Sequence, residues 1–192
     1  MTIKFNQFFN QNEFHAEAIS GDEDTDKIAT FCYPGAIPEA WVPGIAIRVR
    51  DSTGISWIGY FLQGKDSPNG AELCCAHPDG KHIVVVSRGT PYIVNAADPK
   101  NWQEIPIRPV LGYCVAAEEG VLLLYDYTKI VGLCANGNAW STRSLSWDGL
   151  RSVRVVNGAV EGEGWDAPTS AYVPFRVDIK TGESTGGASP PH

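Results

Sequence analysis

Three glycines mark the interval of the hydrophobic pattern: Gly80 in "HPDGKH", Gly120 in "AEEGVL" and Gly158 in "VVNGAV", 40 and 38 residues apart. Each follows a short apolar-rich run: "AELCCAH" (71–77), "GYCVAAE" (112–118) and "RSVRVVN" (151–157). Each precedes another: "HIVVVS" (82–87), "VLLLYD" (121–126) and "AVEGEGWD" (159–166). Asp-Gly and Asn-Gly are tight-turn signals because glycine accepts positive φ without steric conflict, so each unit is predicted to begin with a β-hairpin. A third run follows in each unit, "PYIVNA" (91–96), "KIVGLCA" (129–135) and "YVPFRVD" (172–178), and ends at "ADPKN", "NGN" or "KTG". Two units continue into a fourth run, "WQEIPI" (102–107) and "AWSTRSLS" (139–146). The expected fold is all-β, built from antiparallel four-stranded units repeated about every 40 residues.

A first unit reads less regularly. Gly35 in "YPGAIPEAWVPG" is placed at the same turn, 45 residues before Gly80. "IAIRVRD" (45–51) is then the third strand and "ISWIGYFL" (55–62) the fourth, and "IRVRDSTG" matches "FRVDIKTG" of the last unit. That last unit is expected to lack a fourth strand, because "ESTGGASPPH" (183–192) is poor in apolar residues. The N-terminal "IKFNQFF" either fills that slot and closes a ring, or forms a helical turn, since Phe5, Phe8 and Phe9 share helical spacing. The implied organisation is an N-terminal segment with an acidic linker over 1–26, one β-repeat domain over 27–182, and a flexible tail over 183–192.

The stretch "HPDGKHIVVVSRGTPYIVNAADP" resembles a blade of the β-propeller repeat families, in which an Asp-Gly hairpin precedes a strongly apolar strand. The resemblance implies a propeller-like arrangement, as a closed four-bladed ring, an open twisted stack, or a half-ring completed by dimerisation. The C-terminal part, "WSTRSLSWDGL" to "VDIKTGESTGG", also resembles small uncharacterised bacterial proteins, a likeness that implies no activity. Trp147-Asp148 is not the dipeptide of the WD repeats. No Gly-His pair accompanies it, and it follows the fourth strand, where Asp-Gly makes a connector turn.

Composition narrows the function classes. The chain has 192 residues, is 43% hydrophobic and carries a net charge of −7, so it holds a real core and shows no basic excess of the kind nucleic-acid binders carry. No signal-peptide run and no stretch of membrane-spanning length is present, which gives a cytoplasmic expectation with no membrane partner. The five cysteines, Cys32, Cys74, Cys75, Cys114 and Cys134, form no CxxC and read as buried reduced thiols. Cys74 and Cys75 point to opposite faces of one strand, and Cys74 and Cys114 share a slot in successive units, which marks a small core residue.

Candidate chemistry is sparse. Asp22, Asp24 and Asp26 have calcium-loop spacing, but Lys27 and Tyr33 stand where an EF-hand needs Gly and Glu, so the stretch reads as a solvated acidic linker. His77 and His82 flank the Gly80 hairpin and could face each other, on what is expected to be an exposed turn. Glu161 and Glu163 lie on one strand face and read as a solvated pair. No nucleophile elbow, dinucleotide fingerprint or P-loop occurs, and no cofactor or metal is expected.

The expected function is a non-catalytic protein-binding module of the bacterial cytosol, of an immunity or antitoxin kind suited to a basic partner. A second copy of the chain is also allowed as partner. The alternatives are a carbohydrate-binding module, for which six Trp and seven Tyr supply stacking faces, and a hydrolase with a site assembled from propeller loops. In an antiparallel meander the turn between second and third strands shares an edge with the inter-unit connectors. That edge collects Trp41, Arg88, Tyr125, Asp126, Lys129, Trp165 and Asp166 from turns, with Trp147 and Asp148 from a connector. Trp41, Tyr125 and Trp165 lie six, five and seven residues after their turn glycines, so an aromatic recurs at nearly one slot, either as an interface anchor or as a wedge between sheets.

Overall fold

The structure, a computed structural model, describes residues 4–9, 13–19, 28–35, 42–64 and 69–188. It contains four four-stranded sheets. The first holds β1 (Phe14–Ala18), β2 (Ala29–Tyr33), β3 (Gly44–Asp51) and β4 (Ser56–Leu62). The second holds β5 (Leu73–Ala76), β6 (His82–Ser87), β7 (Thr90–Asn95) and β8 (Trp102–Glu104). The third holds β9 (Gly112–Ala116), β10 (Val121–Tyr125), β11 (Ile130–Cys134) and β12 (Ala139–Ser141). The fourth holds β13 (Leu150–Val156), β14 (Ala159–Asp166), β15 (Ala171–Asp178) and β16 (Ser184–Gly186). Sheets two to four are simple antiparallel meanders, and Gly80, Gly120 and Gly158 sit at their first hairpins with φ of +73°, +65° and +69°.

Strand periodicity explains how the sheets stack. Successive side chains on a strand face opposite ways. In β6, Ile83 and Val85 enter the core shared with the first sheet, while Val84 and Val86 enter the core shared with the third. In β10, Leu122 and Leu124 face the second sheet, while Val121 and Leu123 face the fourth. Both faces are covered, so both strands read as unbroken apolar runs. The strands of the end sheets alternate instead. Ile45, Ile47 and Val49 of β3 are buried, while Arg50 is exposed and Arg48 half-buried on the other face. In β14, Val160 is buried, and Glu161 and Glu163 face outward.

Three hydrophobic cores therefore link the sheets in chain order, first to second, second to third and third to fourth. Among the described residues no such core joins the fourth sheet to the first. The outward face of the fourth sheet is exposed and ionic, with Arg154 64% exposed at its side chain. Among the described residues the sheets stack in chain order, from the first to the fourth.

The first and last units depart from the sequence reading. In the first sheet the order is β1-β3-β4-β2, with β2 parallel to β4, so Gly35 ends a strand without opening a hairpin. The following strand, β3, pairs instead with β1 and β4. In the fourth sheet the missing strand is present: β16 pairs with β15 from Ser184 to Gly186. A short edge strand needs backbone donors and acceptors more than apolar side chains. The Gly187 N–H reaches Pro174 O at 2.8 Å and the Ala188 N–H reaches Leu145 O at 2.9 Å. Ser184–Gly186 thus supply the fourth strand, and residues 4–9 do not fill that slot. β8 and β12 are shorter than expected because Ile105, Ile107 and Leu145 leave their sheets to bury in the inter-sheet cores.

The Gly80 hairpin is also not an exposed turn with two incidental histidines. His77 is only 4% exposed, and its Nδ1 lies 3.1 Å from Asp79 Oδ1. His82 Nδ1 lies 2.7 Å from Asp79 Oδ2, and the N–H groups of Lys81 and His82 donate to Oδ1. Burial pushes the Asp79 carboxyl up, but the His77 hydrogen bond and charge, the Lys81 N–H and the His82 bond outweigh it. They hold the group well below the ordinary carboxylate range. "AVEGEGWD" places its glycines on the inward face: a Cβ at Gly164 would stand 2.0 Å from Leu145 O, and one at Gly162 2.5 Å from the Phe175 ring.

Gly164→Ala is expected to destabilise the fold by about 1–3 kcal/mol, because its obstacle is backbone. Denaturant melts against wild type measure this. Asp79→Asn should cost about 1–3 kcal/mol at neutral pH. The folded-state pKa is depressed, so the Asp79 contribution is complete above the unfolded carboxylate range and drains away as pH falls below about 4. Melts at pH 7 and pH 3 should show the gap between wild type and Asp79→Asn narrowing in acid. An unchanged gap contradicts the assignment.

Candidate functional site

One edge of the row collects the turns between second and third strands together with the connectors between sheets, and backbone hydrogen bonds stitch the two sets into a layer. Gly89 N–H donates to Ala71 O (2.9 Å), Val110 N–H to Gly89 O (2.8 Å) and Leu111 N–H to Tyr125 O (2.8 Å). Leu145 N–H donates to Thr128 O (2.7 Å) and Gly149 N–H to Tyr127 O (2.8 Å). Side chains on this rim are therefore presented by backbone that is paired on both sides.

Several of the sequence-derived residues serve the rim itself. Asp126 is 8% exposed, and its Oδ1 accepts from the N–H groups of Thr128 (2.7 Å) and Lys129 (2.8 Å) and from the Thr128 hydroxyl (3.1 Å). Lys129 Nζ donates to Pro106 O at 3.0 Å, tying its turn to the preceding connector. Tyr125 packs on the third core and its ring fills the space over Gly112, where a Cβ would stand 2.2 Å from the hydroxyl. Burial pushes that phenol up. Arg88 is exposed at the β6–β7 turn with φ +44°. Trp41 lies outside the described residues.

The remaining four residues meet at the fourth sheet. Trp147 N–H donates to Trp165 O (2.9 Å), and Trp165 N–H donates to the Ser146 hydroxyl (2.9 Å) and to Gly149 O (3.1 Å). Ser146 is fully buried and its hydroxyl donates to Gly149 O at 2.8 Å, so the Trp147–Gly149 turn is pinned to the end of β14. Both indoles are half-buried, and neither belongs to the three hydrophobic cores. The Trp147 Nε1 is buried with no hydrogen-bond partner. Asp148 is exposed, and Asp166 Oδ2 accepts from the Thr169 hydroxyl at 2.5 Å.

Three neighbours escaped the sequence reading. Tyr172 is the cross-strand partner of Trp165 and meets it edge-to-face at 5.2 Å. The Arg151 guanidinium lies 3.7 Å above the Tyr172 ring and its Nε donates to Glu163 at 2.8 Å. Tyr127, 41% exposed, stands on the adjoining turn. The signal for Tyr172 was available: counting register outward from the β14–β15 turn places it opposite Trp165.

Below the aromatics, the outward face of the fourth sheet continues as an ionic ladder. Glu161 pairs with Arg176, and more distantly with Arg154 at 3.8 Å. These side chains line an open depression of about 590 Å³ with Pro174 and Thr185. Each glutamate faces an arginine, Glu163 meeting Arg151 and Glu161 meeting Arg154 and Arg176. The buried thiols Cys74 and Cys75 lie in the first and second inter-sheet cores, and burial pushes both up, away from the reactive thiolate.

Asp126→Ala should cost about 1–3 kcal/mol of stability, since it strands three donors in a buried turn. Asp148→Ala should stay within about 0.5 kcal/mol. Equal effects in chemical denaturation would mean that the two rim carboxylates do not differ in role.

No family model matches the chain, and no curated protein matches it. Solved structures do. A chain of the nidogen/laminin complex aligns at 15% identity and TM-score 0.39, covering 78% of this chain and 58% of that one. A chain of the S. cerevisiae assembly of Dbp5 with Nup159 and Gle1 aligns at 12% identity and TM-score 0.43, covering 98% and 54%. The N-terminal domain of Nup159 aligns at 12% and 0.42, covering 98% and 55%. This chain spans a little over half the length of each.

Proposed function

We propose that this chain is a non-catalytic protein-binding module that docks its partner through the fourth-sheet end of the rim. One observation carries the reading: Trp147 and Trp165 are half-buried outside every core, yet their backbones are hydrogen-bonded to each other. Arg151, Tyr172 and Tyr127 stand beside them. Tryptophan, tyrosine and arginine on a rigid platform are the residue types that anchor protein interfaces.

Charge supports a basic partner. The chain carries −7 overall, and Asp148 and Asp166 directly follow Trp147 and Trp165 in the sequence. An immunity or antitoxin role in the cytoplasm fits that charge and size. A sugar-stacking role is less well supported, because Arg151 already covers one face of Tyr172.

The test is quantitative binding to an identified partner by Trp147→Ala, Trp165→Ala and Asp148→Lys variants of the full chain. Each tryptophan variant should lose about 1–3 kcal/mol of affinity with a melting temperature close to wild type. Asp148→Lys should slow association with a basic partner, and added salt should erase that difference. Unchanged affinity in both tryptophan variants, or specific hits on a glycan array, would overturn the reading.

A further inference from the structure

The segment Lys4–Phe9, "KFNQFF", lies along the open edge of β5. It is held there as a ligand would be held. It joins no sheet as a full strand. Its backbone makes one isolated parallel bridge, Asn6 to Cys75, through a bond from Asn6 N–H to Cys74 O at 2.8 Å. The Asn6 side-chain amide reaches the same carbonyl at 3.3 Å. The rest of the attachment is aromatic and is divided between two separate cores. Phe5 packs against the core between the first and second sheets, edge-to-face on Phe14 at 6.1 Å. Phe9, 7% exposed, enters the core between the second and third sheets, and Phe8 packs beside it, tilted against Tyr113 at 6.1 Å. Gln7 and Lys4 face solvent.

β5 is an edge strand of its sheet, and an edge strand presents backbone donors and acceptors to any extended chain that meets it. Recognition by strand addition draws affinity from such main-chain bonds and specificity from pockets for the side chains. Here the pockets are the mouths of two inter-sheet cores on either side of β5, and they are spaced for Phe-x-x-Phe-Phe.

We propose that the β5 edge with its flanking aromatic sockets is a peptide-binding site for extended partner segments of the pattern Phe-x-x-Phe-Phe, and that residues 4–9 occupy it in cis until such a segment displaces them. The tether gives the chain's own segment a high effective concentration, so a free peptide competes at a disadvantage that vanishes when the cis segment is weakened. The site is independent of the tryptophan rim, and its failure would leave the rim reading untouched.

The probe is a fluorescent synthetic peptide of residues 1–9, MTIKFNQFF, titrated by anisotropy into the full-length wild-type chain and into a full-length Phe5→Ala/Phe9→Ala variant. The variant should bind it saturably and at least about tenfold more tightly than wild type, because its site is open for a larger fraction of the time. A scrambled peptide should bind neither. Equal affinity for both chains, or no saturable binding to a variant that melts cooperatively, overturns the proposal. A second measurement needs no variant: the same peptide with photoreactive benzoylphenylalanine at position 8, incubated with wild type, should crosslink to β9 around Tyr113 and be competed by unlabelled peptide. Crosslinks elsewhere, or none, overturn it as well.

Discussion

Two-sided burial of the middle strands is the constraint on which the rest of the molecule rests. β6 and β10 each send alternate side chains into two different cores, and those cores are what hold neighbouring sheets together. A four-stranded sheet with one apolar face cannot bury that face alone, so each unit depends on its neighbour, as in other repeat architectures. Polar tips that the packing buries are satisfied across the same interfaces. Tyr92 and Ser87 of the second sheet donate to Leu62 O and Phe61 O of the first, and Trp57 Nε1 donates back to Ala96 O. The stacking is thus specified by hydrogen bonds as well as by volume.

The ends of the row follow from the same logic. A terminal repeat needs a polar outer face. The fourth sheet meets this with alternating glutamate and glycine on β14, flanked by arginines on β13 and β15, so that the outward column is charged and the inward column admits the Leu145 backbone and the Phe175 ring. The first sheet meets it with His15, Glu17 and Arg50 exposed on the face away from the core. The β5 edge of the second sheet is covered differently, by a segment of the chain that pairs with it only once and otherwise relies on phenylalanine.

Most of the acidic turn chemistry is spent on structure. Asp51, Asp126 and Asp178 each use one carboxylate oxygen to accept backbone N–H groups and a threonine hydroxyl two or three residues on, a local solution that closes tight turns without tertiary help. Hydrogen bonds within these turns hold Asp51 and Asp178 below their ordinary values. Of the three aspartates, only Asp126 lies on the rim, where Arg88 and Asp148 are exposed and Trp147 and Trp165 half-buried.

Local signals determined the repeat. Asp-Gly and Asn-Gly turns, apolar runs of strand length and the 40-residue interval were enough to place the hairpins of the second, third and fourth units, because turn conformation and strand pairing across a short loop are set by adjacent residues. The same reasoning put turns and connectors on one edge. It did not separate Asp126, which closes its own turn through Thr128 and Lys129, from Asp148, which faces solvent, although the Asp-x-Thr spacing of 126–128 is a local signal. Nor could it see β2 running parallel to β4, β16 completing the last sheet, or the phenylalanines of residues 5–9 entering two cores. Those features join residues distant in sequence through backbone edges and shared cavities, and such contacts exist only once the sheets have stacked.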